Sequence, residues 1–311
     1  MQDEFGLTVV ETAHALRSAD WLAHNPRARA DDLAQAFADP SIRGIISTIG
    51  GDDAIRSLPY LDLNVMRANP KVFLGHSDTA ITHLACFKAG LVSFYGPSIM
   101  AGFDENGGLS PCMVDSVRKT LFSAAPVGVV QPNAGGWTGE LLRWDNPQNQ
   151  ARPRRLHEST GWKWLQGSDT RRGRLIGGCI EVVDWLRGTA FWPTPEQWQD
   201  AILFLETSED APPPQVVRCG LRTCAALGIL PRLSGILFGR PGGRIAPARF
   251  TDYDQALLDI VAEEEGLTNL PIVARMDFGH TDPMFVLPYG VQAELDCSAQ
   301  RFTILESGVV D

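Results

Sequence analysis

Ser77 follows a short apolar run, Val72-Phe73-Leu74-Gly75, and precedes Thr79-Ala80-Ile81-Thr82-His83-Leu84-Ala85, which reads as a helix. A serine in a strand-to-helix turn has its hydroxyl pushed out above the sheet, beside a helix N-terminus that favours negative charge. That is where a nucleophile is placed. The full G-x-S-x-G pattern is not met, because Thr79 stands where the second glycine falls. A serine at a helix start also serves as an N-cap, so this turn needs partners to carry chemistry.

Two partners occupy the same kind of position. Glu206 ends the apolar run Ala201-Ile202-Leu203-Phe204-Leu205, and His280 lies just past a run at residues 272–275. Sites in layered α/β proteins are built at the C-terminal ends of strands. Serine, then acid, then histidine is one of the chain orders that catalytic triads use. The histidine takes the serine proton, and the carboxylate fixes its tautomer and stabilises the imidazolium. An oxyanion hole is also needed. The backbone N–H of Asp78 and that of Gly51, in the Gly50-Gly51-Asp52 turn, are the donors expected, since glycines let amides approach a substrate closely. Asp52 in this turn is expected to meet substrate. Rivals stand beside each choice. Asp52 or Asp53 could supply the acid, and His76 or His83 the base. Glu206 could belong to a solvated acidic loop with Glu209 and Asp210, and His280 could be a turn histidine bonded to Asp277.

The elements that position these residues follow from hydrophobic periodicity. Leu7-Thr8-Val9-Val10 reads as a strand, Ala30, Leu33, Ala34 and Phe37 as a helical stripe, and Gly44-Ile45-Ile46-Ser47-Thr48 as a strand. Strands alternating with helices predict a mostly parallel, layered α/β sheet. From 126 to 168 the alternation fails, and the stretch is rich in Pro, Gly, Asn and Trp. A long loop inside a compact protein is usually a lid or a binding loop. A connector with tryptophans packed on a domain seam is the other reading. Regular structure resumes after it. The organisation expected is a nucleophile-bearing domain over 1–125, a connector and active-site loop over 126–168, and a domain over 169–311 carrying acid and base.

Composition bounds the function. The 311 residues suffice for two ordinary domains, and 44% apolar with 21% charged content is that of a globular protein. No apolar run is long enough to span a bilayer, and no signal-type segment opens the chain. A net charge of −10 argues against a nucleic-acid polymer as partner. The six cysteines include no C-x-x-C pair and read as reduced thiols of a cytoplasmic protein, with no metal site and no cofactor expected.

At these residues the chain resembles the LD-carboxypeptidase family of serine peptidases, and more closely its microcin C self-immunity (MccF-like) branch. The matching segments include residues 45–53 (IISTIGGDD), 73–79 (FLGHSDT), 90–97 (GLVSFYGP), 161–167 (GWKWLQG), 174–181 (RLIGGCIE), 202–209 (ILFLETSE), 238–243 (FGRPGG) and 278–283 (FGHTDP), in family order. The resemblance implies Ser77 as nucleophile, Glu206 as acid and His280 as base. It also implies a Rossmann-like N-terminal domain, a mixed α/β C-terminal domain, no metal, and a homodimer. His76 departs from the aromatic residue usual before the serine. Members also carry a strand and helix ahead of the segment matching Glu4-Phe5-Gly6-Leu7, so a first strand–helix unit is expected to be missing here.

The expected activity is hydrolysis of an amide-like bond in a small peptide or aminoacyl-nucleotide conjugate. The alternative within the family is a murein tetrapeptide carboxypeptidase. The Trp-rich segment favours the nucleotide, because an indole stacks on a purine. Trp162, or else Trp164, is expected to make that stack. A ligand-binding protein that keeps the fold without turnover is the reading from another class, and a generic α/β-hydrolase esterase is disfavoured by Thr79.

Overall fold

A computed structural model describes residues 1–105 and 107–310. Among them the strands are β1 (Gly44–Ile46), β2 (Val72–Gly75), β3 (Ser93–Tyr95), β4 (Gly128–Val130), β5 (Lys163–Gln166) and β6 (Thr170–Cys179). They continue with β7 (Ile202–Glu206), β8 (Gly235–Gly239), β9 (Ile272–Met276), β10 (Leu287–Tyr289), β11 (Gln292–Asp296) and β12 (Arg301–Ile304). Two sheets result, in the orders β1-β2-β3-β10 and β4-β12-β11-β6-β7-β8-β9-β5.

The first sheet is parallel over β1, β2 and β3, and the second over β6 to β9. Parallel strands need long crossovers, and helices supply them. Ala80–Ala89 links β2 to β3, and Pro214–Ala226 links β7 to β8. A helix at Phe250–Leu258, continued by a π-helical turn at Asp259–Glu264, precedes β9. Helices Pro26–Ala38, Pro111–Leu121 and Pro214–Ala226 each begin on a proline, whose missing N–H costs nothing at that position. Every residue of β7 and β8 is buried, as expected of strands covered on both faces. Fully burying one Leu, Ile or Phe side chain stabilises by about 1.5–3 kcal/mol, so these two strands are a main source of the fold's stability.

The structure departs from the sequence reading in three places. Residues 7–10 form no strand; Val9 and Val10 are exposed and pair with no strand among the described residues, and β1 lies at the edge of its sheet. The segment 126–168 is not structureless, because β4 and β5 are the two outermost strands of the larger sheet. Between them the chain meets the His280 loop, where Thr138 and Asp282 exchange backbone hydrogen bonds of 2.7 and 2.8 Å. Finally, β10 leaves the second half of the chain and pairs antiparallel with β3 in the first sheet. The hairpin expected at the C-terminus is present as β11 and β12. Among the described residues no helix is long and apolar enough to cross a membrane.

Candidate active site

Ser77 lies just past β2, Glu206 is the last residue of β7, and His280 follows β9 by four residues. The C-terminal ends of strands from both sheets therefore converge. Ser77 has φ 63°, a left-handed conformation that non-glycine residues rarely adopt. Holding it costs about 1–3 kcal/mol, and such outliers persist where the surroundings over-determine them. The surroundings here include Tyr95, the last residue of β3. Its hydroxyl accepts the Ser77 N–H at 3.0 Å and donates to Glu206 Oε1 at 2.5 Å. Glu206 is fully buried, and its other oxygen, Oε2, accepts from His280 Nδ1 at 2.7 Å.

Close backbone packing makes room for this cluster. A Cβ on Gly279, whose φ is 92°, would lie 2.7 Å from the Glu206 side chain. A Cβ on Gly50 would lie 2.8 Å from Ser77 Cβ and 2.9 Å from its Oγ. The turn after β1 thus rests against the serine. The Asp78 carboxylate fastens it, with Oδ2 accepting from the N–H groups of Asp53 at 3.2 Å and Ala54 at 2.8 Å. Burial pushes the Asp78 carboxyl up, against those two hydrogen bonds and Arg29. Asp52 is exposed in the same turn, and Asp53 is ion-paired with Arg29.

The electrostatics separate the three histidines. Burial opposes charge on His280, but Glu206 and Glu209 outweigh it and raise its pKa to about 10. Burial alone would raise Glu206, yet His280 and the Tyr95 hydroxyl hold it below the usual carboxylate range. Burial, with the neighbouring His280 charge, lowers His76 to about 4; its Nδ1 faces the Gly96 carbonyl at 3.2 Å. Burial also lowers His83 to about 4. His83 lies between Ser93 Oγ at 2.8 Å and the Gly75 carbonyl at 2.9 Å, so it braces the end of β2. Only His280 of the three touches a buried carboxylate.

Cys179, Glu206 and His280 each bring one donor atom within 4.8 Å of the others. Those atoms are already engaged: His280 with Glu206, and the Cys179 thiol with Glu181 at 3.3 Å. Burial, Glu206 and Glu181 push that thiol well up, which opposes the thiolate a metal would need.

The two tryptophans singled out from the sequence are partly buried against the core. The Trp162 N–H donates to Asp277 Oδ2 at 2.7 Å, and its ring meets Phe285 and Phe302 with centroids 5.7 and 6.3 Å away. Trp164, in β5, packs partly buried against the same core. Both therefore tie 126–168 to the second sheet. Trp137 is buried against His157, with centroids 4.5 Å apart. Trp144 is different: it is 52% exposed, and with Asp104, Leu142 and Arg143 it lines a recess of about 320 Å³.

Sequence reasoning missed Tyr95 and gave Glu209 no role. Tyr95 carries the same signal as Glu206, a polar group at the C-terminal end of a buried strand.

The LD-carboxypeptidase N-terminal domain matches residues 1–96, and the LD-carboxypeptidase C-terminal domain matches residues 172–295. The chain belongs to the LD-carboxypeptidase family of serine peptidases. Within it, an MccF-like protein from Streptococcus pneumoniae, solved in complex with AMP, superposes with a TM-score of 0.86 at 31% identity, over 97% of this chain and 90% of that one. The microcin C7 self-immunity protein MccF of Escherichia coli is 27% identical over 89% of this chain and 78% of its own. MccF has been solved with aspartyl sulfamoyl adenosine, and that structure matches with a TM-score of 0.75 at 26% identity, over 92% of this chain and 82% of that one. A probable murein peptide carboxypeptidase of Bacillus subtilis is 25% identical over 99% of this chain and 85% of its own.

Proposed function

We propose that the chain is a cytoplasmic serine hydrolase that cleaves an amide-like bond in an aminoacyl-nucleotide conjugate. Ser77 attacks the carbonyl, and His280 takes its proton and returns it to the leaving group. Glu206 holds the imidazole by Nδ1. The N–H groups of Asp78 and Gly51 receive the oxyanion, and water releases the acyl-enzyme. The observation that carries this reading is the buried Glu206, which accepts from His280 and, through Tyr95, is tied to the backbone of Ser77. A bystander carboxylate would not be buried unless its hydrogen bonds were worth the desolvation. Gly50→Ala is expected to slow fluorophosphonate labelling of Ser77 about 100-fold, since a displacement of about 1 Å at a reacting centre has that effect. Labelling at the parent rate would contradict the placement of the turn.

The nucleotide is favoured over murein by the likeness to an AMP-bound relative and by the exposed Trp144 indole. The murein reading is favoured by the Bacillus relative. Incubation with an aminoacyl sulfamoyl adenylate and with a murein tetrapeptide, read by mass spectrometry, separates them. The adenylate is expected to be hydrolysed, with Trp144→Ala raising KM about tenfold, the effect of one lost base stack of roughly 1–3 kcal/mol. Cleavage of the tetrapeptide alone would assign the murein activity instead.

A further inference from the structure

The base in this site is capped. His280 Nδ1 meets Glu206, and its Nε2, the atom that must face Ser77 Oγ during attack, meets Glu209 Oε2 at 3.1 Å. A carboxylate only accepts hydrogen bonds. Carboxylate oxygens 2.7 and 3.1 Å from its two nitrogens favour the charged imidazolium over the neutral ring. An imidazolium has no lone pair with which to take the serine proton.

Glu209 is built to move without its loop. Its side chain is 50% exposed, whereas that of Glu206 is fully buried. The two residues ahead of it are fixed. Thr207 Oγ1 accepts the Gly242 N–H at 3.0 Å, and Ser208 bonds the Glu181 carboxylate through its N–H at 3.2 Å and its hydroxyl at 2.6 Å. Among the described residues, His280 is the only cation paired with Glu209. Among the described residues no arginine or lysine is paired with it, which leaves room for a cation carried by the substrate.

We propose that Glu209 is a specificity latch: it caps His280 Nε2 in the free enzyme, and an ammonium group beside the scissile carbonyl of the substrate draws it away. This rests on the serine mechanism proposed above. On release the Nε2 proton passes to bulk water. The lone pair it leaves then accepts the Ser77 proton as the oxygen bonds to the carbonyl carbon. A substrate without a free amine finds the cap in place in most molecules and reacts only through the uncapped minority, hence more slowly.

The groups facing His280 are Glu206, Glu209, His76, with its ring centroid 5.0 Å away, and Cys179; Asp282 lies near His76. His76 stays neutral and the Cys179 thiol stays protonated near pH 7, so Glu206 and Glu209 set the ring's charge. Glu209 is itself held at about 2 by its bond to His280. Removing its charge should lower the pKa of the base, moving the acid limb of reactivity to lower pH by roughly 1–3 units.

The test compares the wild type with Glu209→Gln, an isosteric change at an exposed side chain. Fluorophosphonate labelling of Ser77 is followed from pH 5 to pH 10 (about half-unit steps), with Ser77→Ala as control. The variant is expected to label faster at neutral pH, with its acid limb displaced downward. Hydrolysis of an aminoacyl sulfamoyl adenylate and of its N-acetyl form is then measured. The wild type is expected to prefer the free amine by about tenfold or more, equal to one 1.4 kcal/mol step, and the variant to lose that preference. Coincident labelling profiles, or an unchanged preference for the free amine, overturn the latch. Absence of label at Ser77 in both proteins at every pH overturns the serine mechanism beneath it.

Discussion

Ser77→Ala is expected to lower turnover by a factor on the order of 10⁴ or more while leaving the melting temperature near that of the parent. The two readouts diverge because the serine has two separate attachments. The fold holds it through its main-chain N–H, bonded to Tyr95 at 3.0 Å, and alanine keeps that bond. Alanine also meets the same steric cost at φ 63° as serine does. Chemistry holds it through the hydroxyl, which alanine lacks. Residual activity would come only from the oxyanion donors and from substrate positioning. Circular dichroism melting and steady-state kinetics on one preparation check both halves. Hydrolysis within tenfold of the parent would remove Ser77 from the mechanism.

His280→Ala is expected to be as inactive as Ser77→Ala, and it should also destabilise. Removing the imidazole leaves Glu206 buried without its partner, a situation that costs about 3–5 kcal/mol in buried ion pairs. Kinetics must therefore be taken on the folded fraction, and His280→Gln, which can still donate to Glu206, serves as the companion variant. It should melt closer to the parent and remain inactive. Glu206→Gln should fall less far, because it orients the base without touching substrate. His83→Ala gives the opposite pattern. It loses two buried hydrogen bonds, costing roughly 1–3 kcal/mol for each group left unsatisfied, while kcat per folded molecule stays near the parent value. A folded, inactive His83→Ala beside an active His280→Ala would show that the base was wrongly assigned.

What was legible in the sequence is the set of features written into neighbouring residues. The strand before Ser77, the strand ending at Glu206 and the strand before His280 are apolar runs with turn signals after them, and each lies where the periodicity puts it. The helical stripe at 30–37 and the terminal hairpin were visible for the same reason. The strand expected at 7–10 failed because a short β-branched run becomes a strand only when another edge accepts it, and none does. The two strands within 126–168 were hidden because each is three or four residues long and is defined by its partner, β12 or β9, rather than by its own pattern. The surroundings of Trp162 were hidden because composition says that an indole is present, not what packs on it; Asp277, Phe285 and Phe302 approach it from far along the chain. Tyr95 and Glu209 are contact properties too. One bridges the two sheets, and the other caps the base across a turn.

The central claim is that Ser77 is a nucleophile activated by His280. A fluorophosphonate probe, followed by intact-mass measurement and peptide mapping, tests it most directly. The account predicts a single covalent adduct, located on the peptide that contains Ser77, formed by the wild type and absent from both Ser77→Ala and His280→Ala. A wild type that hydrolyses its substrate while Ser77 stays unmodified, or that carries the adduct at another residue, would contradict it.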